Sequence, residues 1–360
     1  MNSTPKNILV APLNWGLGHA TRCIPIIKAL QEHNYIPIIA SDGAALALLK
    51  KEFPYLKFLE LPSYQIEYAE NAENFKWKLL KNSPKMIDAV WGEKKKVKKW
   101  IKKHHIDAII SDNRLGVFSK KVPSVFITHQ LNVMTGNTTW ITTKIHQFII
   151  DKYHACWVPD IATTPNLSGQ LGHIDHVKNK IKHIGPLCRM QKMDLPIKYD
   201  LMILLSGPEP QRTMLEEKLI KEIEMFEGHV VFIKGIVEDE QKKEQIENVT
   251  FYNFMNTRQL EKTFNESSKV LCRSGYTSIM DLAILEKKVF FIPTPGQYEQ
   301  EYLAKKFKKE GLVPYSKQDK FKLKKLQEID LYPGLPKIKS TINWPALFEI
   351  FNIPVKNKVF

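Results

Sequence analysis

Short apolar runs alternate with amphipathic stretches along most of the chain. Ile8-Leu9-Val10-Ala11 predicts a strand over 7–13, and Ile24, Ile26, Ile27 and Leu30 recur behind it at helical spacing. The same reading predicts strands over 36–40, 57–60, 108–111, 124–128 and 155–158, and helices over 44–51, 85–105 and 140–152. Residues 160–195 carry little pattern and lead through Ile184-Gly185-Pro186 into a candidate linker, 186–196. The plan then restarts. Strands are expected over 200–205, 229–234, 249–252, 269–272 and 289–292, with helices ending near 226, 265 and 310 and one beginning at Tyr276. Residues 316–339 are basic and irregular, and Trp344, Leu347, Phe348, Ile350 and Phe351 suggest a last apolar helix or turn. Strands alternating with helices predict α/β architecture, with mainly parallel sheets covered on both faces.

At 360 residues the chain is too long for one ordinary core, so two doubly wound, Rossmann-like domains are expected. They are placed at 1–190 and 197–335, with a tail, 336–360, packing back toward the first. The pattern breaks over 62–84, where Tyr64, Tyr68, Phe75 and Trp77 mix with polar residues. A loop of that kind at a strand's carboxyl end often shapes a binding site.

An apolar share of 43% and a charged share of 25% fit a globular chain, and no apolar run is long enough to span a bilayer. The polar start, leading straight into a strand, does not read as a signal peptide, so a cytoplasmic location is expected. Cys23, Cys156, Cys188 and Cys272 are scattered without metal-ligand spacing, which fits small core residues in a reducing compartment. The net charge of +15 is uneven: residues 1–195 hold 27 Lys and Arg against 15 Asp and Glu, and the remainder 26 against 23. A basic first half suggests a polyanionic partner. Lys94, Lys98 and Lys102 adjoin Lys95, Lys99 and Lys103 in two rows on one predicted helix. That ridge suits an anionic membrane surface or is simply a solvated face. Nucleic acid is not expected, because stacking aromatics are not interleaved with the lysines.

Two strand–turn–helix junctions carry the candidate chemistry. In Leu271-Cys272-Arg273-Ser274-Gly275-Tyr276-Thr277, a buried strand feeds a helix through a tight polar turn. Free backbone N–H groups and the positive end of a helix dipole meet there, which favours phosphate. Ser274 and Thr277 offer hydroxyl donors, Gly275 permits close approach, and Asp281 lies about one turn on, in reach of a sugar hydroxyl. An ordinary α/β connection with a serine cap is the alternative. In the first half, Gly16-Leu17-Gly18-His19 leads into a helix without the third glycine of a dinucleotide fingerprint. A His at a helix N-terminus has its pKa lowered, so His19 reads as a neutral general base, or as a capping residue. Asp112 and His129, at the ends of neighbouring strands, are expected on the same sheet edge, with Asp112 orienting His19.

Two α/β units with phosphate-type turns concentrated in the second resemble the GT-B fold of nucleotide-sugar glycosyltransferases, two such domains facing a cleft. Arg273-Ser274-Gly275, Asp281 and 297–301 are similar to the C-terminal signature of the peptidoglycan N-acetylglucosaminyltransferase family. The resemblance implies that Ser274, Gly275 and Thr277 hold the diphosphate and that Asp281 stands where the family has a ribose-binding glutamate. Gln297 would help to bind the donor, Gln300 and Glu301 would face the donor sugar, although Glu301 replaces a family glutamine, and Phe254-Met255 would contact the uracil. Ser206 and Arg212 match the first phosphate turn only loosely, because Pro208 and Pro210 replace small residues. On the acceptor side the resemblance rests on Gly16, Gly18 and His19, and Gly18-His19-x-x-Arg22 also looks like a soluble UDP-sugar hydrolase of nonulosonic acid biosynthesis.

The expected chemistry follows from these parts. His19, aided by Asp112, deprotonates an acceptor hydroxyl, and the Ser274–Thr277 turn, with Arg273 or Arg212, stabilises departing UDP. No cofactor is expected beyond the UDP-sugar substrate. No metal is expected either, since no Asp-x-Asp motif ends a predicted strand. The acceptor is expected to be lipid-linked or a glycan of the cell envelope. A UDP-sugar hydrolase or epimerase of the same fold is the alternative.

Overall fold

The structure, a computed structural model, describes residues 4–64, 72–134, 139–174, 180–207, 209–338 and 341–353, the side chains of 72–84 aside. The described residues divide into two compact units, the first of 4–64, 81–187 and 341–353 and the second of 72–80 and 188–338, so the first turns of the long third helix are grouped with the second unit.

The first unit is built on a seven-stranded parallel sheet. Its strands are β1 Asn7–Pro12, β2 Ile36–Ser41, β3 Lys57–Glu60, β4 Ile106–Asp112, β5 Ser124–Ile127, β6 Ala155–Val158 and β7 Ile181–His183. They lie in the order β3-β2-β1-β4-β5-β6-β7. Ile8, Leu9 and Val10 of the central β1 are fully buried, as expected of a parallel strand covered on both faces. Helix α1 spans Gly18–Glu32, α2 Gly43–Glu52, α3 Ala72–Lys103, which belongs to this unit from Lys81 on, and α4 Thr139–Ile150. Val97 and Trp100 of α3 pack with Leu9, Ile38 and Ile109 in one core cluster.

Helix α3 differs from the sequence reading. It starts within the stretch read as an irregular insertion, so Phe75 and Trp77 belong to a helix. The polar and aromatic mixture there has no clean 3.6-residue period, which is why the helix is not legible in sequence. Tyr68 lies outside the described residues. Strand β7 was also missed, because three residues, none of them buried, carry no pattern.

The described tail forms helix α9, Trp344–Phe348, and a 3-10 turn, Glu349–Asn352. Phe348 meets the rings of His33 and Tyr35 at 5.5 and 5.4 Å, and Phe351 meets Tyr35 at 5.5 Å. Lys6 donates to the Phe351 carbonyl at 3.0 Å. These aromatic edges and one charge-assisted hydrogen bond hold the tail to α1 and the start of β2.

The second unit has a six-stranded sheet. Its strands are β8 Tyr199–Leu204, β9 Val230–Ile233, β10 Lys243–Ile246, β11 Val249–Tyr252, β12 Ser267–Cys272 and β13 Lys288–Phe291, in the order β10-β11-β9-β8-β12-β13. Every pairing is parallel except β10 with β11. Strand β10, wholly exposed, is an edge strand whose Lys-Glu-Gln-Ile sequence gives no burial signal, so sequence reading passes over it. Helices α5 Gln211–Ile223, α6 Thr257–Asn265, α7 Tyr276–Ile284 and α8 Tyr298–Lys309 flank the sheet. Helix α6 opens with a full capping box, Asn256 accepting from the Gln259 amide while Gln259 accepts from the Asn256 amide. All four cysteines are free thiols, and Cys23, Cys156 and Cys272 are buried.

Candidate functional site

Register places the first group of residues. Pro12 pairs with Asp112, and Asp112 with Ile127, so the carboxyl ends of β1, β4 and β5 are level. The loops that follow therefore emerge side by side, the usual place for a site in an open α/β sheet. His19 lies in the first turn of α1, one helical turn before Arg22. Its Nδ1 lies 3.0 Å from Asp112 Oδ1 and 2.8 Å from Arg22 Nη2. Arg22 Nε donates to Asp112 Oδ2 at 2.6 Å, Nη2 also contacts Oδ1, and Nη1 donates to His129 Nδ1 at 3.0 Å. Arg22, Asp112 and His129 are buried, while His19 keeps 15% of its side chain exposed.

The tautomers follow from what each partner can do. A guanidinium only donates, so His129 Nδ1 accepts and its ring proton, when neutral, sits on Nε2. For His19, the carboxylate is the stronger partner, and Nδ1–H donating to Asp112 leaves Nε2 as a free acceptor. Burial, then the nearby Arg22 charge, lowers the His19 pKa, partly offset by Asp112. The imidazole is thus neutral at pH 7. Burial opposes ionisation of Asp112, but Arg22 and then His19 overcome it and hold the carboxyl well below the usual range. The sequence reading invoked the helix dipole for the His19 shift. Desolvation and Arg22 supply it in the same direction.

Arg114, two residues beyond Asp112, organises a second buried network. It contacts Asp42, donates to Glu93 Oε1 at 3.0 Å and bonds the Pro12 carbonyl at 3.0 Å. Tyr64 donates to Glu93 Oε2 at 2.9 Å, which gives that aromatic of the expected binding loop a buried structural partner. Asn113, with φ of 55°, separates the two networks by turning the chain through the left-handed region. Asp42 and Glu93 were missed in sequence, and the only available signal was the Asp112-Asn113-Arg114 triplet at a strand end. Gly16 also has a positive φ, 74°, with nothing within 4 Å of a would-be Cβ, so conformation alone demands glycine there. The Gly18 carbonyl accepts from Thr21 Oγ1 at 3.0 Å.

Register likewise gathers the second group. Leu204, Cys272 and Phe291 pair in turn, so the loops after β8, β12 and β13 leave one sheet edge. Gly275 is the N-cap of α7, and no side chain caps that helix. A Cβ at Gly275 would meet only Gln300 Nε2, at 3.9 Å, so protein packing leaves room at this turn. Thr277 stands half-exposed on the first turn. Thr294 Oγ1 and Gln297 Oε1, in the adjoining loop, are buried polar atoms without a partner among the described residues. Open space at an uncapped helix start, beside such atoms, fits a bound polar group.

Several expected donor residues are otherwise engaged. Arg273 turns inward, donating to the carbonyls of Gln211, Ile292 and Pro293 at 2.8, 3.2 and 3.2 Å, and so shapes the turn from beneath. The Ser274 hydroxyl, fully buried, donates to the Gln300 carbonyl at 2.8 Å, so its proton is not offered to a ligand. Arg212 is held by Glu209 and Glu216, which neutralise the charge a diphosphate would need. Arg273 and Ser274 thus spend side-chain donors on buried carbonyls, and Arg212 on the neighbouring carboxylates of Glu209 and Glu216. Gln300 Oε1 accepts from the Thr294 amide at 2.9 Å, and Glu301 Oε1 from the Gly296 amide at 3.0 Å. Asp281 is 8% exposed and faces Cys188 and Arg189, and burial pushes its carboxyl up to about 6. Ser206 is half-buried after β8, and Pro208 lies outside the described residues. Phe254 and Met255 are half-buried between β11 and α6, level with the same edge through the Tyr252–Ile233 pairing.

Among the described residues, no three His, Cys, Asp or Glu side chains converge as metal ligands, and no helix is long and apolar enough to cross a membrane.

Comparison with solved structures defines the fold. The chain is similar to the glycotransferase of kitacinnamycin at 14% identity, covering 97% of this chain and 93% of that one, with a TM-score of 0.62. It is similar to MurG of Acinetobacter baumannii at 14% identity, over 97% and 99% of the two chains, with a TM-score of 0.52. A putative UDP-N-acetylglucosamine 2-epimerase from Listeria monocytogenes shares 10% identity over 93% and 92%, with a TM-score of 0.58. The fold is therefore GT-B, that of nucleotide-sugar glycosyltransferases. Within it, residues 211–332 match the glycosyltransferase family 28 C-terminal domain. No curated protein matches the chain in sequence.

Proposed function

We propose that this protein transfers a sugar, GlcNAc or another hexose, from UDP to a hydroxyl of a lipid-linked or cell-envelope acceptor, at the cytoplasmic side of the membrane and without a metal. The observation that carries the reading is the buried His19–Asp112 contact of 3.0 Å, in a chain whose second unit matches a family 28 domain. His19 Nε2 takes the acceptor's proton as its oxygen attacks the anomeric carbon. The bond from that carbon to the diphosphate breaks with inversion, and UDP departs with the electron pair. Asp112 holds the imidazole and stabilises it once protonated. Amides at the start of α7 stabilise the diphosphate, and Phe254 and Met255 are assigned to the base. Gly16, Gly18, Arg22 and His129 are assigned to the acceptor side.

Substitution of His19 with Ala tests the reading. Transfer is expected to vanish while calorimetric UDP binding survives, and normal turnover would remove the base assignment. Incubation with UDP-sugars in the absence of acceptor separates transfer from hydrolysis, since fast stoichiometric release of free sugar identifies a hydrolase. Formation of an epimeric UDP-sugar in the same assay would favour the epimerase reading.

A further inference from the structure

Two buried acceptor atoms close to the His19 network are left over from the proposed chemistry. Asn113 directly follows Asp112, at the carboxyl end of β4. Its backbone N–H donates to the Ile127 carbonyl at 3.3 Å, while its side-chain Oδ1 is buried without a hydrogen-bond partner among the described residues. Its φ of 55° is one that glycine adopts without strain, yet an asparagine is kept there with its side-chain oxygen idle. Both sequence neighbours are committed, Asp112 to Arg22 and His19, and Arg114 to Asp42 and Glu93. A strained polar residue with an idle buried atom, beside a proposed catalytic pair, is the pattern of a ligand contact. His146, on α4, supplies the second atom. Its ring stands edge-on to Phe126 at 5.5 Å and hydrogen-bonds the Gln130 carbonyl. Nδ1 is buried without a partner among the described residues, so the bond to Gln130 runs through Nε2. A carbonyl only accepts, so Nε2 carries the proton and Nδ1 presents a lone pair. Burial lowers the His146 pKa to about 4, which keeps the ring neutral at pH 7. Asn113 and His146 are thus both fastened to the end of β5 and the loop after it. His129, in that loop, acts electrostatically on His146 and on His19, so the three imidazoles share one end of the sheet.

We propose that Asn113 and His146 are specificity-determining residues on the acceptor side, each accepting a hydrogen bond from a hydroxyl of an uncharged sugar ring, a further hydroxyl of which His19 deprotonates. The chemistry of the pair selects this ligand. Two lone pairs call for two donors, and a ring bearing several hydroxyls supplies both from one rigid body. A carboxylate or phosphate only accepts, and would set lone pair against lone pair. An ammonium donates, but Asp112 is already paired with Arg22 and His19 and cannot balance a second cation. A ring lacking those hydroxyls leaves two buried acceptors unpaired, which is how a polar site rejects what it cannot satisfy. The pair therefore reads the acceptor and takes no part in proton transfer.

This assignment rests on the proposed transfer reaction but is tested apart from it. The full chain, labelled with heavy nitrogen on histidine, is titrated with uncharged methyl hexopyranosides in the absence of donor. Saturable binding of at least one of them is expected, with the His146 Nδ1 resonance shifting as a hydroxyl donates to it. Asn113→Gly relieves the left-handed backbone, and His146→Phe keeps a ring against Phe126, so both variants are expected to melt like wild type. Each is expected to weaken hexoside binding roughly tenfold, and to raise the acceptor KM by a similar factor while kcat and UDP affinity hold. The resonance of the unaltered chain decides even if a variant melts early. No binding, binding that leaves the His146 resonance in place, or unchanged affinity in either variant overturns the proposal. A water molecule serving both lone pairs gives that last result. Binding lost in the variants, together with normal turnover in His19→Ala, would remove the base and keep the subsite. Transfer whose acceptor KM neither variant moves would remove the subsite alone.

Discussion

Arg22 clamps both oxygens of Asp112, and the oxygen on one side of that clamp also faces His19 Nδ1 at 3.0 Å. One fully buried carboxylate thus neutralises a guanidinium and aims an imidazole. Asp112→Asn removes the anion and strands Arg22 in the interior. A loss of about 3–5 kcal/mol is expected, read by urea denaturation. An Arg22→Met/Asp112→Leu variant removes both charges and is expected to recover most of that loss while remaining inactive. A double variant as unstable as Asp112→Asn would show that packing, not the stranded charge, sets the cost.

The same clamp predicts acid behaviour. Because the Asp112 pKa is depressed in the folded chain, the unfolded state takes up the proton first as pH falls. Its stabilisation is complete above the unfolded value, about 4, and drains away only below it. Wild type and Asp112→Asn are therefore expected to differ by a constant amount from pH 5 to 8. The two stabilities converge below about pH 4.

His19 titrates in the same sense, but from a higher pH. Its folded pKa lies below the ordinary 6.5, so the unfolded state binds a proton that the native imidazole refuses. Stability carried by His19 is present above pH 6.5 and falls as pH drops below it. Transfer activity is expected to keep its plateau at pH 7, with an acid limb whose midpoint lies below 6.5. An imidazole resonance titrating above 6.5 would contradict the burial assigned to this ring.

Gly275 offers a test of the second unit that does not depend on the base. Its φ of −72° suits any residue, and an added Cβ meets only Gln300 Nε2 at 3.9 Å. Gly275→Ala is expected to change stability by no more than about 1 kcal/mol. UDP affinity is expected to fall roughly tenfold, because the methyl group fills the space beside the α7 amides. Unchanged calorimetric binding would place the diphosphate elsewhere.

Asp281 has a carboxyl raised to about 6 by burial, so the native chain holds its proton longer than the unfolded chain. Stability is therefore lost as pH rises from about 4 through 6. Asp281→Asn is expected to gain on wild type over that interval, by roughly 2–3 kcal/mol at pH 8, read from thermal melts. Calorimetry on Asp281→Ala tests the ribose assignment separately. Affinity for UDP falls if the carboxylate reaches the sugar and is unchanged if it serves only Cys188 and Arg189.

Local patterns fix much of this protein before any folding is considered. Apolar runs such as Ile8–Ala11 and Val270–Cys272 mark strands buried on both faces, and the helices between them force those strands to be parallel. Parallel strands then bring His19, Asp112 and His129 to one edge without further information. What sequence could not settle is the partner of each polar group. Arg273, Ser274 and Arg212 read as ligands of a phosphate because turn residues are normally solvent-facing, yet carbonyls from distant segments take up the donors of Arg273 and Ser274, and the nearby carboxylates of Glu209 and Glu216 take up those of Arg212. The idle acceptor atoms of Asn113 and His146 escaped notice for the same reason, since residue type reveals a polar atom but not whether anything meets it. Periodicity is a property of neighbours in the chain. Burial and hydrogen bonding depend on neighbours in space, and only the tertiary structure supplies those.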